Sequence, residues 1–181
     1  LLTKPGEFLT KQGTFYKVFT PFYKAACRAR VAAPVREKRF ENFSAKTLCK
    51  ATTELPSQLR TMPNYSEASV GGRDAGLLVL KKFIKQADYK KEHDFPAALG
   101  GASHLSAHNK FGTLSIREVY AAAGHLSLVD RDAFVRALYW RDFFTLVLSF
   151  NPYVLGSAYN KAYNNLTWEN DEAKFKRWCD G

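Results

Sequence analysis

Apolar residues recur at helical spacing through the second half of this chain. Between residues 130 and 150 the repeating positions are Phe134, Leu138, Phe143 (or Trp140), Leu146 and Phe150. This period predicts a helix over 130–150, the strongest helix signal in the sequence. A second helical stretch follows Gly71, and the residues expected to share its apolar face are Leu77, Leu80, Phe83 and Ile84, with Leu78 beside them and Lys81, Lys82 and Lys85 pointing elsewhere.

Polar residues mark where further helices begin and end. Ser115 with Glu118 three positions later forms a capping box, and Gly124 is a plausible end for the helix that starts there. The last twelve residues have acids first, bases later and Gly181 at the end, which also predicts a helix. Because no alternating pattern of useful length follows residue 30, the predicted fold class is all-α.

The first 70 residues lack a sustained period. Residues 13–30 alternate aromatic and polar side chains and become helix-like after Pro21, which predicts a short helix near 21–30. The following stretch carries three prolines and is interpreted as a long connecting segment laid over a surface. The expected organisation is therefore an irregular connector over 1–70 and a helical unit over 71–181.

Charge favours a polyanionic partner. Among 181 residues, 27 Lys and Arg oppose 17 Asp and Glu, giving a formal net charge of +10. Nucleic acid is the first candidate and an anionic membrane surface the second, although many basic proteins bind neither. Three widely spaced cysteines indicate reduced thiols in an intracellular protein. The longest apolar run is too short to cross a bilayer, and no signal peptide is expected at the start of the chain. Because the first residue is not Met, a fragment or a processed protein is expected.

A stretch rich in glycine and serine, residues 100–115, separates the helical regions. Hydroxyls of Ser103 and Ser106, with unhindered amides at Gly100 and Gly101, can cradle a phosphate, although an ordinary helix–helix connection has the same composition. His104 and His108 have a metal-like spacing if helical, but no third ligand stands nearby, and no metal is expected.

Four segments, in order, resemble DNA photolyases and cryptochromes. They are "GTFYKVFTPFYKA", "DYKKEHDFPAALGGASHLSAHNKFGTLSIREVY", "ALYWRDFFTLV" and "LTWENDEAKFKRWCDG", and together they span nearly all of the chain. The resemblance implies the first half of that family's all-helical FAD-binding domain. It also implies an intracellular protein that acts on UV-damaged DNA and not on a membrane.

The resemblance assigns roles residue by residue. The implied FAD-binding residues are Tyr89, Ala102, Ser103, His104, Leu105, Ser106, Phe134 and Arg141. The implied DNA-binding residues are His93, Ala137, Trp140, Arg141 and Phe144. Trp140 would stack on a flipped-out pyrimidine dimer and Trp168 would be the outermost residue of an electron relay to the flavin. From the residues alone, a tryptophan on an apolar helix is usually a core residue, and Arg141 can be the partner in a helix salt bridge; Arg141 and Asp142 complete the motif that favours a pocket position for Trp140.

Departures from the family pattern qualify these roles. Ala102 replaces a usual Thr, and Ala137 stands where repair enzymes carry a Glu or Gln that binds the lesion. The family continues beyond "RWCDG" with residues that hold the flavin ring, so a truncated or split photolyase-like protein is expected, with FAD weakly held or lost. A further hypothesis is that a separate chain carries the missing half and combines with this one. The alternative is a non-catalytic, cryptochrome-like photoreceptor or a relict DNA-binding fragment.

Overall fold

A computed structural model describes residues 1–35, 70–86, 88–98 and 100–181. The described residues contain helices and no strand, so the predicted all-α class is confirmed. The α-helices are α1 (Phe19–Ala26), α2 (Arg73–Gln86), α3 (Tyr89–Glu92), α4 (Ser106–Phe111), α5 (Ile116–Ala122), α6 (Leu128–Phe150) and α7 (Glu172–Asp180). Short 3-10 helices lie at Ala123–His125, Pro152–Leu155 and Lys161–Tyr163.

Helix α6 is the centre of the fold. It begins two residues before the predicted start, because the Ser127 hydroxyl caps it by accepting a hydrogen bond from the Asp130 amide. Its predicted apolar positions are buried at Phe134, Leu138, Phe143 and Leu146. Phe150 is the exception, since its half-exposed ring stacks on Phe15 at 5.2 Å instead of entering the core.

The amino-terminal segment packs on α6. Asp142 is buried at mid-helix and accepts hydrogen bonds from the Thr3 amide (2.7 Å) and the Thr3 hydroxyl (2.9 Å). Helix α1 adds Phe19 and Phe22 to the same core. It spans Phe19–Ala26 instead of 21–30, with Pro21 in the first turn, where the missing N–H removes no intrahelical hydrogen bond.

The buried face of α2 differs from the prediction. Leu80 and Phe83 are buried, but Leu77 and Leu78 are 40% and 68% exposed. The buried face of α2 includes Gly76, because α2 lies closest there to His108 of α4 and to Leu114, just before α5. A β-carbon at Gly76 would lie 2.9 Å from Leu114 Cγ and 3.0 Å from His108 Nδ1. The apolar period alone could not reveal that the closest contact is made by a glycine.

The predicted capping box is confirmed. The Ser115 amide donates to Glu118 (3.0 Å), and the Ser115 hydroxyl accepts from the Arg117 amide. Glu118 also accepts two hydrogen bonds from Arg73, which ties α5 to α2 and lowers the pKa of the carboxyl. Helix α5 ends at Ala122, two residues before Gly124, because the chain tightens into a 3-10 turn.

The predicted carboxyl-terminal helix is also present. Asp171 caps α7 by accepting from the Ala173 and Lys174 amides, and Gly181 closes it. Every residue of α7 is exposed. The predicted connecting segment lies mostly outside the described residues, so the division at residue 70 stays a prediction.

Candidate functional site

The glycine–serine loop folds back against α3. At Gly101 a β-carbon would lie 2.7 Å from the Glu92 carbonyl oxygen and 2.8 Å from its carbonyl carbon. Only glycine allows this approach of two backbones. The loop then turns through His104, whose φ of 53° is left-handed, and the Leu105 amide donates to the Ser103 hydroxyl at 3.4 Å. The close approach at Gly101 therefore fixes where the serines lie.

Ser106 begins helix α4, which the sequence analysis did not predict. Gly112 ends α4 in the left-handed conformation, with φ 70°. His108 is buried beneath the helix and its Nδ1 lies 2.8 Å from the Thr113 hydroxyl, so this histidine has a structural partner. Within the described residues no group of three or more His, Cys, Asp or Glu side chains is arranged to hold a metal ion.

An open cleft of about 630 Å³ lies between this loop and α6. One wall is apolar and comes mainly from α6, with Phe134, Leu138 and Phe144. The other wall carries polar groups from the loop and α4. Its lining residues are Tyr89, Ser103, Ser106, Asn109, Lys110, Ile116, Phe134, Ala137, Leu138, Arg141, Phe144, Thr145 and Leu148.

A smaller pocket of about 270 Å³ adjoins the cleft. The two share Tyr89, Ser103 and Ser106, and the pocket adds His93, Ala102, His104 and Leu105. The His93 ring stacks on Tyr89 with centroids 4.6 Å apart. All eight residues assigned to FAD by the resemblance thus line one of two adjoining cavities, although they come from three separate segments of the chain: α3, the loop over 102–106 and α6.

The cleft is electrostatically suited to an anion. Lys110 and Arg141 line it, and none of the described lining residues is acidic. Asn109 brings an unpaired acceptor, because its Oδ1 is buried and accepts no hydrogen bond from the described residues. Burial, and secondarily the charge of Asp94, raises the pKa of Tyr89, so its phenol stays a neutral hydrogen-bond donor. The site therefore offers two cations, hydroxyl donors and one vacant acceptor beside an apolar wall.

Asp130 anchors the short helix that carries Tyr89. Its carboxylate accepts from the Lys90 amide at 2.8 Å and from the Ser127 hydroxyl. These hydrogen bonds, the Lys90 amide first, lower the pKa of Asp130. Asp142, in contrast, has a raised pKa because burial outweighs the hydrogen bonds from Thr3. The two aspartates of α6 therefore respond oppositely to acid.

We expect Asp130→Asn and Asp142→Asn to change the pH dependence of unfolding in opposite directions. Asp130 has a lowered folded-state pKa, so its contribution is present above the unfolded-state pKa and is lost as the pH falls through the folded-state value. Asp142 has a raised folded-state pKa, so its contribution is present at low pH and is lost as the pH rises. Urea unfolding from pH 3 to 8 measures this. Asp130→Asn should reduce the loss of stability on acidification and Asp142→Asn should steepen it; equal slopes would contradict both assignments.

Trp140 lies on the exposed side of α6, beside the cleft but not in its lining. Its indole is 40% exposed and stacks face to face on Phe19, with centroids 3.6 Å apart and an interplanar angle of 8°. Phe144 stacks on the indole with centroids 5.6 Å apart and lines the cleft, as does the exposed Ala137. The indole is therefore neither enclosed in the core nor freely exposed on both faces.

Trp168 does not lie with Trp140 and its neighbouring rings beside the cleft. It is 74% exposed and lines a different cavity of about 440 Å³ with residues of α7 and the preceding turn. Lys174 of α7 forms an ion pair with Glu169 of that turn. The described residues do not bring Trp168 into contact with the cleft.

Comparison with known proteins gives this arrangement a family. A sequence model described as the FAD binding domain of DNA photolyase matches residues 134–181. Deoxyribodipyrimidine photo-lyases of Alkalihalophilus pseudofirmus and Halobacterium salinarum are 31% and 32% identical over 99% and 98% of this chain. The chain belongs to the DNA photolyase family.

A solved structure supports the same assignment for the fold. The crystal structure of a bacterial class III photolyase from Agrobacterium tumefaciens matches with a TM-score of 0.81 and 26% identity over 98% of this chain. The fold is therefore that of part of the helical FAD-binding domain of photolyases. The chain spans about 40% of the length of these relatives: 39% and 40% of the two photo-lyases and 39% of the solved chain.

Sequence analysis missed several residues of the photolyase-type cleft. Thr145 and Leu148 follow Arg141 at positions four and seven, so helical spacing from Arg141 would have found them. Asn109 and Lys110 required helix α4 to be recognised first.

None of the helices in the described ranges is long and apolar enough to cross a membrane.

Proposed function

We propose that this chain supplies the FAD-holding and lesion-facing part of a photolyase that repairs pyrimidine dimers in UV-damaged DNA. One observation carries the proposal: the cleft combines an apolar wall with hydroxyl groups and the cations Lys110 and Arg141, and it lies beside the half-exposed Trp140. A ligand with a diphosphate and flat apolar rings matches both walls. Aromatic rings lie beside the cleft, and the chain as a whole has a net charge of +10, both of which suit a DNA strand.

The cleft fits FAD by its chemistry. Ser103 and Ser106 have hydroxyl groups that can donate to a diphosphate, and Arg141 adds a permanent positive charge. Phe134 and Leu138 provide an apolar surface for a flat ring. The vacant Asn109 oxygen can accept from a hydroxyl or N–H group of the ligand. Bound FAD supplies light absorption and one-electron transfer, and this chain's residues bind and orient it.

The DNA-facing roles rest on position. Trp140 presents part of its indole beside the cleft, Phe144 stacks on it, and Phe144 and Ala137 both line the cleft. We propose that a dimer leaves the duplex and meets this aromatic surface. His93 lines the adjoining pocket, and Lys90 and Lys91 precede it in α3, where their charge can contact phosphate. Such a substrate implies a location inside the cell. Trp168 is proposed to pass electrons toward the flavin from its exposed position.

A second chain is proposed to complete the assembly. The relatives are more than twice as long as this chain. Residues after 152 expose large apolar side chains, including Tyr163, Trp168, Phe175 and Trp178. These exposed rings support association with a chain that carries the remaining photolyase sequence, and addition of that chain should raise the affinity for FAD.

We expect Ser103→Ala combined with Ser106→Ala to weaken FAD binding by about a hundredfold or more, because hydrogen bonds to a charged group contribute about 1.5–3 kcal/mol each. Titration of the purified chain with FAD, followed by quenching of flavin fluorescence, measures this. Ser149→Ala is the matched control, since Ser149 is an exposed serine of α6 outside both cavities. Equal affinities for the double variant and the control would overturn the diphosphate assignment, and no quenching in the parent chain would overturn binding by this chain alone.

Ala137 is the observation that favours the non-catalytic alternative. It lines the cleft where a longer polar side chain would reach a lesion, and its methyl group cannot hydrogen-bond. The named relatives are photo-lyases and favour repair. The choice between repair and the non-catalytic alternative depends on binding to damaged DNA. The question is whether the parent chain prefers damaged to undamaged DNA, or whether that preference appears only with a carboxylate at position 137.

A further inference from the structure

Four aromatic rings form a continuous stack from the cleft to the surface of α1. Phe144 lines the cleft and stacks on Trp140 (5.6 Å, 24°). Trp140 stacks on Phe19 (3.6 Å, 8°), and Phe19 stacks on Tyr23 (5.6 Å, 16°). The order of the rings follows from helical spacing. Phe19 and Tyr23 are an i,i+4 pair on α1, Trp140 and Phe144 are an i,i+4 pair on α6, and the two pairs meet where α1 packs on α6.

The stack ends at a phenol with a proton acceptor. The Tyr23 hydroxyl donates to Asp132 Oδ1 at 3.2 Å. Burial, together with the charge of Asp132, raises the pKa of Tyr23 to about 12, so the phenol keeps its proton at neutral pH. The Arg136 guanidinium carbon lies 5.2 Å from the Tyr23 ring centre and 5.4 Å from that of Phe19. A cation beside these rings disfavours positive charge on them.

We propose that Tyr23 and Asp132 form a terminal electron donor for Trp140, reached through the ring of Phe19. When Trp140 loses an electron to a one-electron oxidant in the cleft, Tyr23 returns an electron to the indole. The phenolic proton moves to the Asp132 carboxylate at the same step. The products are a neutral indole, a neutral tyrosyl radical and a protonated Asp132, so charge and atoms balance.

The surrounding charges select this coupled step. Electron transfer without proton transfer would leave a cation on Tyr23 beside the Arg136 guanidinium, whereas the neutral tyrosyl radical avoids that repulsion. Phe19 and Phe144 are not oxidised: Phe19 stacks between Trp140 and Tyr23, and Phe144 stacks on Trp140 at the cleft. In the cell the oxidant would be the light-excited flavin, so that role rests on the proposed function. The path uses neither Trp168 nor the serine loop.

Pulse radiolysis with azide radicals tests the donor without flavin. Azide radical is a one-electron oxidant that attacks indoles. In the background Trp168→Phe and Trp178→Phe, Trp140 is the only tryptophan left of the three. We expect the indolyl radical absorption to decay by a first-order process independent of protein concentration, while tyrosyl absorption rises at the same rate. Tyr23→Phe should lose the delayed tyrosyl signal, and Asp132→Asn should slow its rise by about tenfold.

The controls separate this path from alternatives. Tyr163→Phe removes an exposed tyrosine far along the chain and should leave the kinetics unchanged. Cys27→Ser belongs in all samples, because the Cys27 thiol is close enough to Tyr23 to affect its pKa and can intercept the radical. A delayed tyrosyl signal that persists in Tyr23→Phe would overturn the proposal, and so would an indolyl radical that decays only by bimolecular reaction in the parent. Neither outcome depends on FAD binding.

Discussion

Gly101→Ala is expected to displace the serine loop and abolish FAD binding, while Gly100→Ala leaves the protein unchanged. The two glycines are neighbours in sequence but not in environment. A β-carbon at Gly101 would lie 2.7 Å from the Glu92 carbonyl oxygen, whereas nothing lies within 4 Å of one at Gly100. The clash involves backbone of α3, so a rotamer change cannot relieve it. Either the loop or α3 must move, and with it Ser103 or Tyr89.

The effect should appear in both stability and ligand binding. Forced overpacking of this kind costs about 1–3 kcal/mol, and each kcal/mol lowers Tm by about 2–4 °C in a chain of this size. Thermal unfolding and FAD titration of the two variants measure the effects side by side. A Gly101→Ala protein with the Tm and FAD affinity of Gly100→Ala would show that the loop does not depend on its approach to Glu92.

The sequence predicts the helices well where one apolar face meets one core. Phe134, Leu138 and Leu146 follow the helical period and are buried, because α6 is surrounded along its length. The capping box at Ser115 is equally local, since its hydrogen bonds join residues three apart. The apolar period does not show which face of a helix a neighbouring element covers. In α2 the predicted face includes Leu77, which is exposed, whereas Gly76 makes the close contact with Leu114 and His108.

The candidate site was likewise predictable only in part. The resemblance assigned residues from three segments to FAD, and they line adjoining cavities. Composition alone could only suggest a phosphate cradle. The stack of Trp140 on Phe19 joins residues 121 positions apart, and neither helix's own period specifies that pairing. Asn109 was missed because its unpaired oxygen is a property of the packed structure, not of a motif.

Trp140→Ala is expected to lower affinity for UV-irradiated oligothymidine by about tenfold to a hundredfold, because stacking of a base on an aromatic side chain contributes about 1–3 kcal/mol. Undamaged DNA should lose much less, since phosphate contacts dominate its binding. Trp140→Phe should retain most of the preference, because a ring remains on Phe19. Trp178→Ala is the matched control, an exposed tryptophan of α7 that stacks only on Phe175 among the described rings.

The same binding assay, at fixed salt, decides between repair and the non-catalytic alternative. Ala137→Glu adds a carboxylate to the cleft wall, so affinity for all DNA should fall by repulsion from phosphate. In a repair protein the ratio of damaged to undamaged affinity should nevertheless rise, because the new side chain can hydrogen-bond the flipped bases. A ratio near one in both parent and Ala137→Glu would favour the non-catalytic fragment. Equal losses on damaged and undamaged DNA in Trp140→Ala would remove the indole from lesion recognition, because a shared loss reports general binding or folding.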